Sequence, residues 1–317
     1  MQGDASRLIL VTGGCGFIGA NVVRGLAAKG FGLRVLDDLS TGRRSYIDGV
    51  VADLRVGDVC DPVAVGAAVR GCWGVVHLAA QTSVQESLRD PQSLVRVNVA
   101  STVRLLEACV AYGVERFIFA SSNAALGEQQ LPLNETTVAS PISPYGASKL
   151  AGEAFCSAFH GAFQLGTVAL RFANVYGPFS EHKTSVIAKF MNSLINGSEI
   201  TIYGDGLQTR DFVYAADLVS AVFAALQSRH AGEVFQIATG RETRIIDLVR
   251  ELEHVCDLKA KIQWAPTRSG EILRNVASID KARSLLGFQP EWNLSEGLAE
   301  TLRWREAAEM SSRRQSL

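Results

Sequence analysis

Over its first half the chain alternates short apolar runs with helix-length stretches. The runs lie in "RLILVTG", "GLRVLDDL", "GVVHLAA", "RFIFASS" and "GTVALRFANVYG". Each is nearly continuous in apolar residues rather than alternating with polar ones, as strands covered on both faces are. Between them, "GANVVRGLAAKG", closed by Gly30, and the longer "VRVNVASTVRLLEACVAYG" and "PYGASKLAGEAFCSAFHG" read as helices. The alternation predicts an α/β chain built on a parallel sheet with helices on both faces. After about residue 175 the rhythm changes, and turns bearing glycine and proline separate shorter elements such as "INGSEITIYGDGLQTRDFV" and "LLGFQPEW". Polar loops of that kind are where a substrate site is expected. "RDFVYAADLVSAVFAALQS" reads as a strand and helix that return to the main sheet.

Composition narrows the classes. The 317 residues carry a formal net charge of -1 with 20% charged residues, which favours neither nucleic acid nor an anionic membrane surface. An anionic ligand must therefore be held by local groups. Six cysteines without a CxxC pair fit reduced thiols in a cytoplasmic protein. The glycine-broken N-terminal run reads as neither signal peptide nor membrane span. No metal is expected.

Gly13, Gly16 and Gly19 form G-x-x-G-x-x-G directly between a strand and a helix. Such a turn lets the backbone approach a pyrophosphate, whose charge then sits on the helix N-terminus. Asp37 ends the next strand about 20 residues on, where a carboxylate binds the adenosine ribose and repels a 2′-phosphate. This favours NAD over NADP. Arg43 and Arg44 follow in a polar loop and read as solvated surface. Asp58, after a further short strand, is open to two readings, an adenine contact or a plain loop carboxylate. His77, shortly before the small residues Ala79 and Ala80, reads as a structural histidine. The fold class expected is a doubly wound Rossmann sheet. Residues 1–175 would form the NAD-binding domain, with the returning strand and helix near 209–229, and 176–310 mainly a smaller substrate-binding α/β region.

In "SPYGASKL" Ser143 can cap a helix that starts at Pro144, which places Tyr145 in the first turn and Lys149 on the same face. The helix dipole, the Lys149 ammonium and the nicotinamide ring of bound NAD should together draw the phenol pKa down towards neutrality, as a general base requires. Ser121 and Ser122, ending "FIFASS", can relay a proton to it.

The ordered motifs "TGGCGFIG", "DDLSTG", "GDVCDP", "HLAAQTSV", "VNVASTVRLLEA", "SPYGASKLAGE", "RFANVYGP", "YGDGLQTRDFVYAADL" and "SIDKARSLLGFQPEW" run over nearly the whole chain. In them the chain resembles the extended short-chain dehydrogenases/reductases, in the nucleotide-sugar epimerase/dehydratase branch, and most closely the UDP-sugar 4-epimerases. The resemblance implies a catalytic set of Ser122, Tyr145 and Lys149. It implies that Gly13, Gly16, Phe17, Ile18, Gly19, Asp37, Asp58, Val59, Ala79, Asn98, Tyr145 and Lys149 hold NAD. Ser83, Ser122, Asn174, Tyr203, Arg210, Arg268 and Glu271 would hold a UDP-sugar, and a homodimer would form through the two long helices.

Related dehydratases and decarboxylases carry acids after the catalytic hydroxyl residue. Here Asn123 and Ala124 follow Ser122, and neither can act as acid or base. What remains is epimerisation at C4 through a 4-keto intermediate, on UDP-glucose/UDP-galactose, a UDP-N-acetylhexosamine or UDP-glucuronate. The alternatives are an NAD(P)H-dependent 4-ketoreductase of a nucleotide-linked deoxysugar and a dinucleotide-sensing regulator. Leu126 stands where the resemblance leads one to expect a tyrosine, which would remove a polar group near the sugar. Asn275 matches a position that limits the C2 substituent. His182 and Lys183 face either the sugar, where they would suit a carboxylate, or solvent.

Overall fold

Apolar runs become strands and the glycines between them become turns. The computed structural model describes residue 4, residues 6–50, 53–267 and 273–315, with side chains to residue 310. Six strands form in the chain order expected: β1 (Leu8–Thr12), β2 (Gly32–Asp37), β3 (Asp53–Val56), β4 (Gly74–His77), β5 (Arg116–Ser122) and β6 (Gly166–Phe172). With Glu233–Ile237 they make a seven-stranded sheet, all parallel, ordered from Glu233–Ile237 through β6, β5, β4, β1 and β2 to β3. The chain winds outwards from β1 to β3, then restarts at β4 on the other side of β1. The resulting switch point opens a crevice at the carboxyl ends of β1 and β4. Ile9, Val11, Val35, Val76, Ile118 and Leu170, all within 1% of full burial, line one face of the sheet, and Leu10, Val75, Phe117 and Phe119 pack on the other.

The returning segment differs from expectation. Phe212–Tyr214 does not join the main sheet but pairs with the short strand Asn174–Tyr176. Only the helix after it, Ala215–Gln227, returns, packing against α1 (Phe17–Ala28) and β5. The seventh strand is instead the short run "EVFQI", an edge strand whose length and polar members gave a weak apolar signal. Beyond it, Glu199–Tyr203 pairs in parallel with Lys261–Ala265, and Thr209–Arg210 pairs with Thr243–Arg244.

The long helix before β5 is interrupted. Pro91–Leu94 and Ser101–Ala111 are α-helical, but Val95–Ala100 between them is wound as a π-helix, which is rare and tends to occur at functional sites. Among the described residues no helix is long and apolar enough to cross a membrane.

Candidate active site

The glycine turn is shaped for a close approach. Gly13 has φ +68°, and a Cβ there would lie 2.8 Å from the Ala79 backbone nitrogen. A Cβ at Gly19 would lie 2.0 Å from the Gly13 carbonyl, so only glycine lets α1 begin this near the turn. Gly16 caps α1 without any side-chain hydrogen bond, and its first turn holds no acid. Phe17 is buried and Ile18 partly so. The N-terminal amides therefore present a positive end at the switch point, which fits a dinucleotide pyrophosphate.

Asp37 does two things. It is 6% exposed and accepts from the backbone N–H groups of Cys15 and Leu39, each at 2.8 Å. It thus ties β2 to the glycine turn while keeping lone pairs for a ribose hydroxyl. Burial raises its pKa against those two bonds. Asp58 accepts from Cys60 N–H at 2.8 Å and lies 3.7 Å from Arg96, with Val59 buried beside it. Arg43 and Arg44 are exposed. His77 is structural: Thr102 donates to the Asn98 carbonyl, so it accepts from His77 Nε2–H at 2.9 Å, and Thr12 donates to Nδ1 at 2.7 Å. Burial draws this imidazole down to about 3, which keeps it neutral.

Asn98 sits in the π-helical turn, and its amide is spent inside the chain. Oδ1 accepts from Gln81 N–H at 2.8 Å; Nδ2 donates to the Gln81 carbonyl at 2.9 Å and to Ser148 Oγ at 3.0 Å. It thereby pins the loop after β4 to the helix Pro144–Phe163. Ser83 is an exposed N-cap, accepting from Glu86 N–H at 3.1 Å.

That helix begins as the octapeptide requires, with Ser143 Oγ accepting from Gly146 N–H at 3.1 Å and Pro144 at its first position. It seats tightly, since a Cβ at Gly146 would lie 2.2 Å from the Ala124 carbonyl and one at Gly152 2.2 Å from the Phe119 ring. The Tyr145 phenol lies near enough to the Ser122 hydroxyl for that group to lower its pKa. Lys149 Nζ donates to the Ala120 carbonyl at 2.8 Å and lies 5.9 Å from the Tyr145 ring centre. The three residues are thus brought together at the carboxyl end of β5.

In the chain without its cofactor, burial raises the Tyr145 pKa and the nearby Ser122 hydroxyl opposes that rise, which leaves the charge of bound NAD to complete the shift. Lys149, 5% exposed, is drawn down to about 8 by burial, with Glu153 opposing.

On the substrate side, Asn174 donates from both its backbone N–H and Nδ2 to the Asp211 carbonyl, at 3.0 and 3.2 Å. Arg210 donates to the Thr209 carbonyl at 2.8 Å. Sequence reasoning missed Asp211, fully buried, whose carboxylate takes Thr239 N–H, Thr239 O–H and Gly240 N–H and so fixes Arg210's strand. Its only sequence signal was an acid directly after that arginine. Tyr203 ends its strand beside Ala265. Arg268 and Glu271 lie outside the described residues. Leu126 is fully buried in the same apolar cluster as Leu133 and Ala277, so it is packing beneath the site rather than a gap in its polar lining. Asn123 Nδ2 reaches Asn275 Oδ1 at 3.4 Å. Lys183 is partly buried, which lowers its pKa, and His182 stacks on Tyr46 with ring centres 6.1 Å apart.

The profile of the NAD dependent epimerase/dehydratase family matches residues 9–238, from β1 through the seventh strand. The chain belongs to that family. The UDP-glucose 4-epimerase of Mycolicibacterium smegmatis is 34% identical over 302 residues, 92% of this chain and 96% of the relative. The crystal structure of Thermotoga maritima UDP-glucose 4-epimerase with UDP-glucose matches with a TM-score of 0.91 and 34% identity, covering 95% of this chain and 99% of that one. The Thermus thermophilus UDP-glucose 4-epimerase in complex with NAD matches with a TM-score of 0.88 at the same identity, covering 95% and 99%. This member of the epimerase/dehydratase family is therefore an enzyme with the extended short-chain dehydrogenase/reductase architecture.

Proposed function

We propose that the enzyme interconverts C4 epimers of a UDP-sugar, with Ser122, Tyr145 and Lys149 as its catalytic residues. The observation that carries this reading is the gathering of Ser122, Tyr145 and Lys149 at the end of β5, in a chain whose next two residues, Asn123 and Ala124, cannot move a carbon-bound proton. Gly13, Gly16, Gly19, Phe17, Ile18, Asp37, Asp58, Val59 and Ala79 would hold NAD across the switch point. When bound, NAD supplies the hydride acceptor and donor and a positive charge near the phenol. The ionised Tyr145 takes the proton of the C4 hydroxyl while Ser122 Oγ hydrogen-bonds the same oxygen. Once the sugar has turned over, the phenol would return that proton to the C4 oxygen. Lys149 holds the phenolate form in population. Asn174, Tyr203 and Arg210, with Arg268 and Glu271, would hold the nucleotide diphosphate, a planar guanidinium being suited to paired phosphate oxygens. On this reading residues 1–175 serve chiefly the cofactor and 176–310 chiefly the nucleotide-sugar, in a cytoplasmic homodimer.

The test incubates the enzyme separately with UDP-glucose, UDP-N-acetylglucosamine and UDP-glucuronate and resolves the C4 epimers of each. One pair should equilibrate with no net change in nicotinamide absorbance; stoichiometric NAD(P)H consumption would indicate a ketoreductase instead. Lys183→Ala probes the sugar's C6 group. If Lys183 meets a carboxylate, the variant loses about tenfold or more of its activity on UDP-glucuronate relative to UDP-glucose, since a charged hydrogen bond contributes about 1.5–3 kcal/mol. An unchanged ratio assigns the lysine elsewhere.

A further inference from the structure

Tyr145 and Lys149 are followed on the same helical face, at the same four-residue step, by Glu153. Its carboxylate is 5% exposed and enclosed by donors. Arg171 grips it twice, Nε to Oε1 at 2.8 Å and Nη2 to Oε2 at 2.7 Å. The Ser121 hydroxyl also donates to Oε1. Ser121 and Arg171 are register partners on β5 and β6, and Gln236 is the next residue along that row. Arg171 Nη1 and both amide atoms of Gln236 are buried without a hydrogen-bond partner.

Stability explains this arrangement poorly. Desolvating two ions offsets most of their attraction, and apolar residues of similar volume often serve a core as well or better. Three unpaired polar atoms beside the pair add a further cost. The location supplies a better reason. Ser121 stands between Ala120, whose carbonyl holds Lys149, and Ser122, whose hydroxyl lies near the Tyr145 phenol. The groups facing Lys149 are the neutral His77 from β4, Tyr145 and Glu153 from its own helix, and Arg171 from β6 behind Glu153. Cys156 lies beyond Glu153 and stays a thiol, since burial and that carboxylate both raise its pKa. Among these groups Glu153 supplies the negative charge, and it works against the burial that draws the Lys149 ammonium down to about 8.

We propose that the Glu153–Arg171 pair, clamped through Ser121 to the end of β5, is a positioning device that keeps Lys149 protonated and aligned beside Tyr145. It rests on the reading of Tyr145 and Lys149 given above. Glu153 acts through Lys149 and touches neither sugar nor cofactor. Arg171 completes the device by fixing the carboxylate rigidly, so that its charge faces the lysine at constant distance.

Glu153→Gln keeps the shape and removes the charge. Lys149 then loses its proton at lower pH, so the alkaline limb of the kcat–pH profile moves down by about one unit or more. Tyr145, facing a less charged lysine, ionises at higher pH, so the acid limb moves up and the active range narrows from both sides. Spectrophotometric titration of the Tyr145 phenolate reads the second shift with NAD bound and no sugar present, taking each protein against its Tyr145→Phe counterpart. Glu153→Asp, which keeps the charge, should hold both limbs near their original positions. Ser121→Ala, which keeps the ion pair, should shift them in the same direction as Glu153→Gln but by less. A Glu153→Gln protein that folds, binds NAD and keeps both limbs and its phenolate titration unchanged would overturn the proposal. If that variant does not fold, an unshifted profile and phenolate titration in Ser121→Ala overturn it equally. Should no sugar be epimerised while the Tyr145 titration shifts as expected, the epimerase reading fails and the role of Glu153 stands.

Discussion

Tyr145 shows how far a single side chain depends on its neighbours. Its phenol is held above its ordinary pKa by burial, with the nearby Ser122 hydroxyl opposing. Tyr145→Phe should lower turnover by about 10²–10⁴-fold, the usual contribution of a general base, while NAD binding measured by fluorescence quenching is retained. Activity close to wild type would exclude the proposed proton transfer. Lys149 makes the complementary case. Its pKa is lowered on folding to about 8, so at neutral pH the buried ammonium costs about 3 kcal/mol relative to the unfolded chain. The sign follows from the direction: this penalty is fully present below about 8 and fades as pH rises from there towards the unfolded value near 10. Lys149→Met should therefore match or exceed the wild-type melting temperature at pH 7 while losing turnover. In the wild type, activity should decline above pH about 8 as the ammonium is lost.

Elements carry information that no residue does alone. The Gly13–Gly19 turn is a packing requirement between β1, α1 and the loop after β4, as the distances to the Gly13 carbonyl oxygen and the Ala79 nitrogen show. Gly19→Ala should push α1 off the turn, cost about 1–3 kcal/mol in denaturant unfolding, and weaken NAD binding in the same protein. Unchanged stability together with unchanged NAD affinity would mean the helix can shift freely. The π-helical turn at Val95–Ala100 was not legible in advance, because its apolar spacing is that of an ordinary helix. What marks it is tertiary: Asn98 must reach both Gln81 and Ser148. The seventh strand was missed for a related reason. "EVFQI" is short and half polar, and its place beside β6 is fixed by pairing with Val168–Phe172 rather than by its own pattern.

At the scale of the whole molecule, the surface still has apolar ground to cover. Tyr112, Phe155 and Phe163 are 40%, 36% and 56% exposed, on or at the end of the two long helices proposed to meet across a homodimer. Sedimentation should give twice the chain mass, and Phe155→Glu with Phe163→Glu should give the monomer; a monomeric wild type would refute the pairing. The sequence by itself determined the parallel sheet, the glycine turn, Asp37 at the tip of β2, and the Ser143–Tyr145–Lys149 helix start. Each of these rests on local physics: strand burial on both faces, φ beyond the reach of a side chain, and the step of one helical turn. Only the tertiary structure decided which strand completes the sheet, that Asn98 and Ser83 are occupied within the chain, that Leu126 lies in the core, and that Asp211 fixes Arg210. It alone joined Glu153 to Arg171 and Ser121, residues far apart in the chain, because burial and pairing are set by packing across strands. Those are interactions that sequence spacing does not encode.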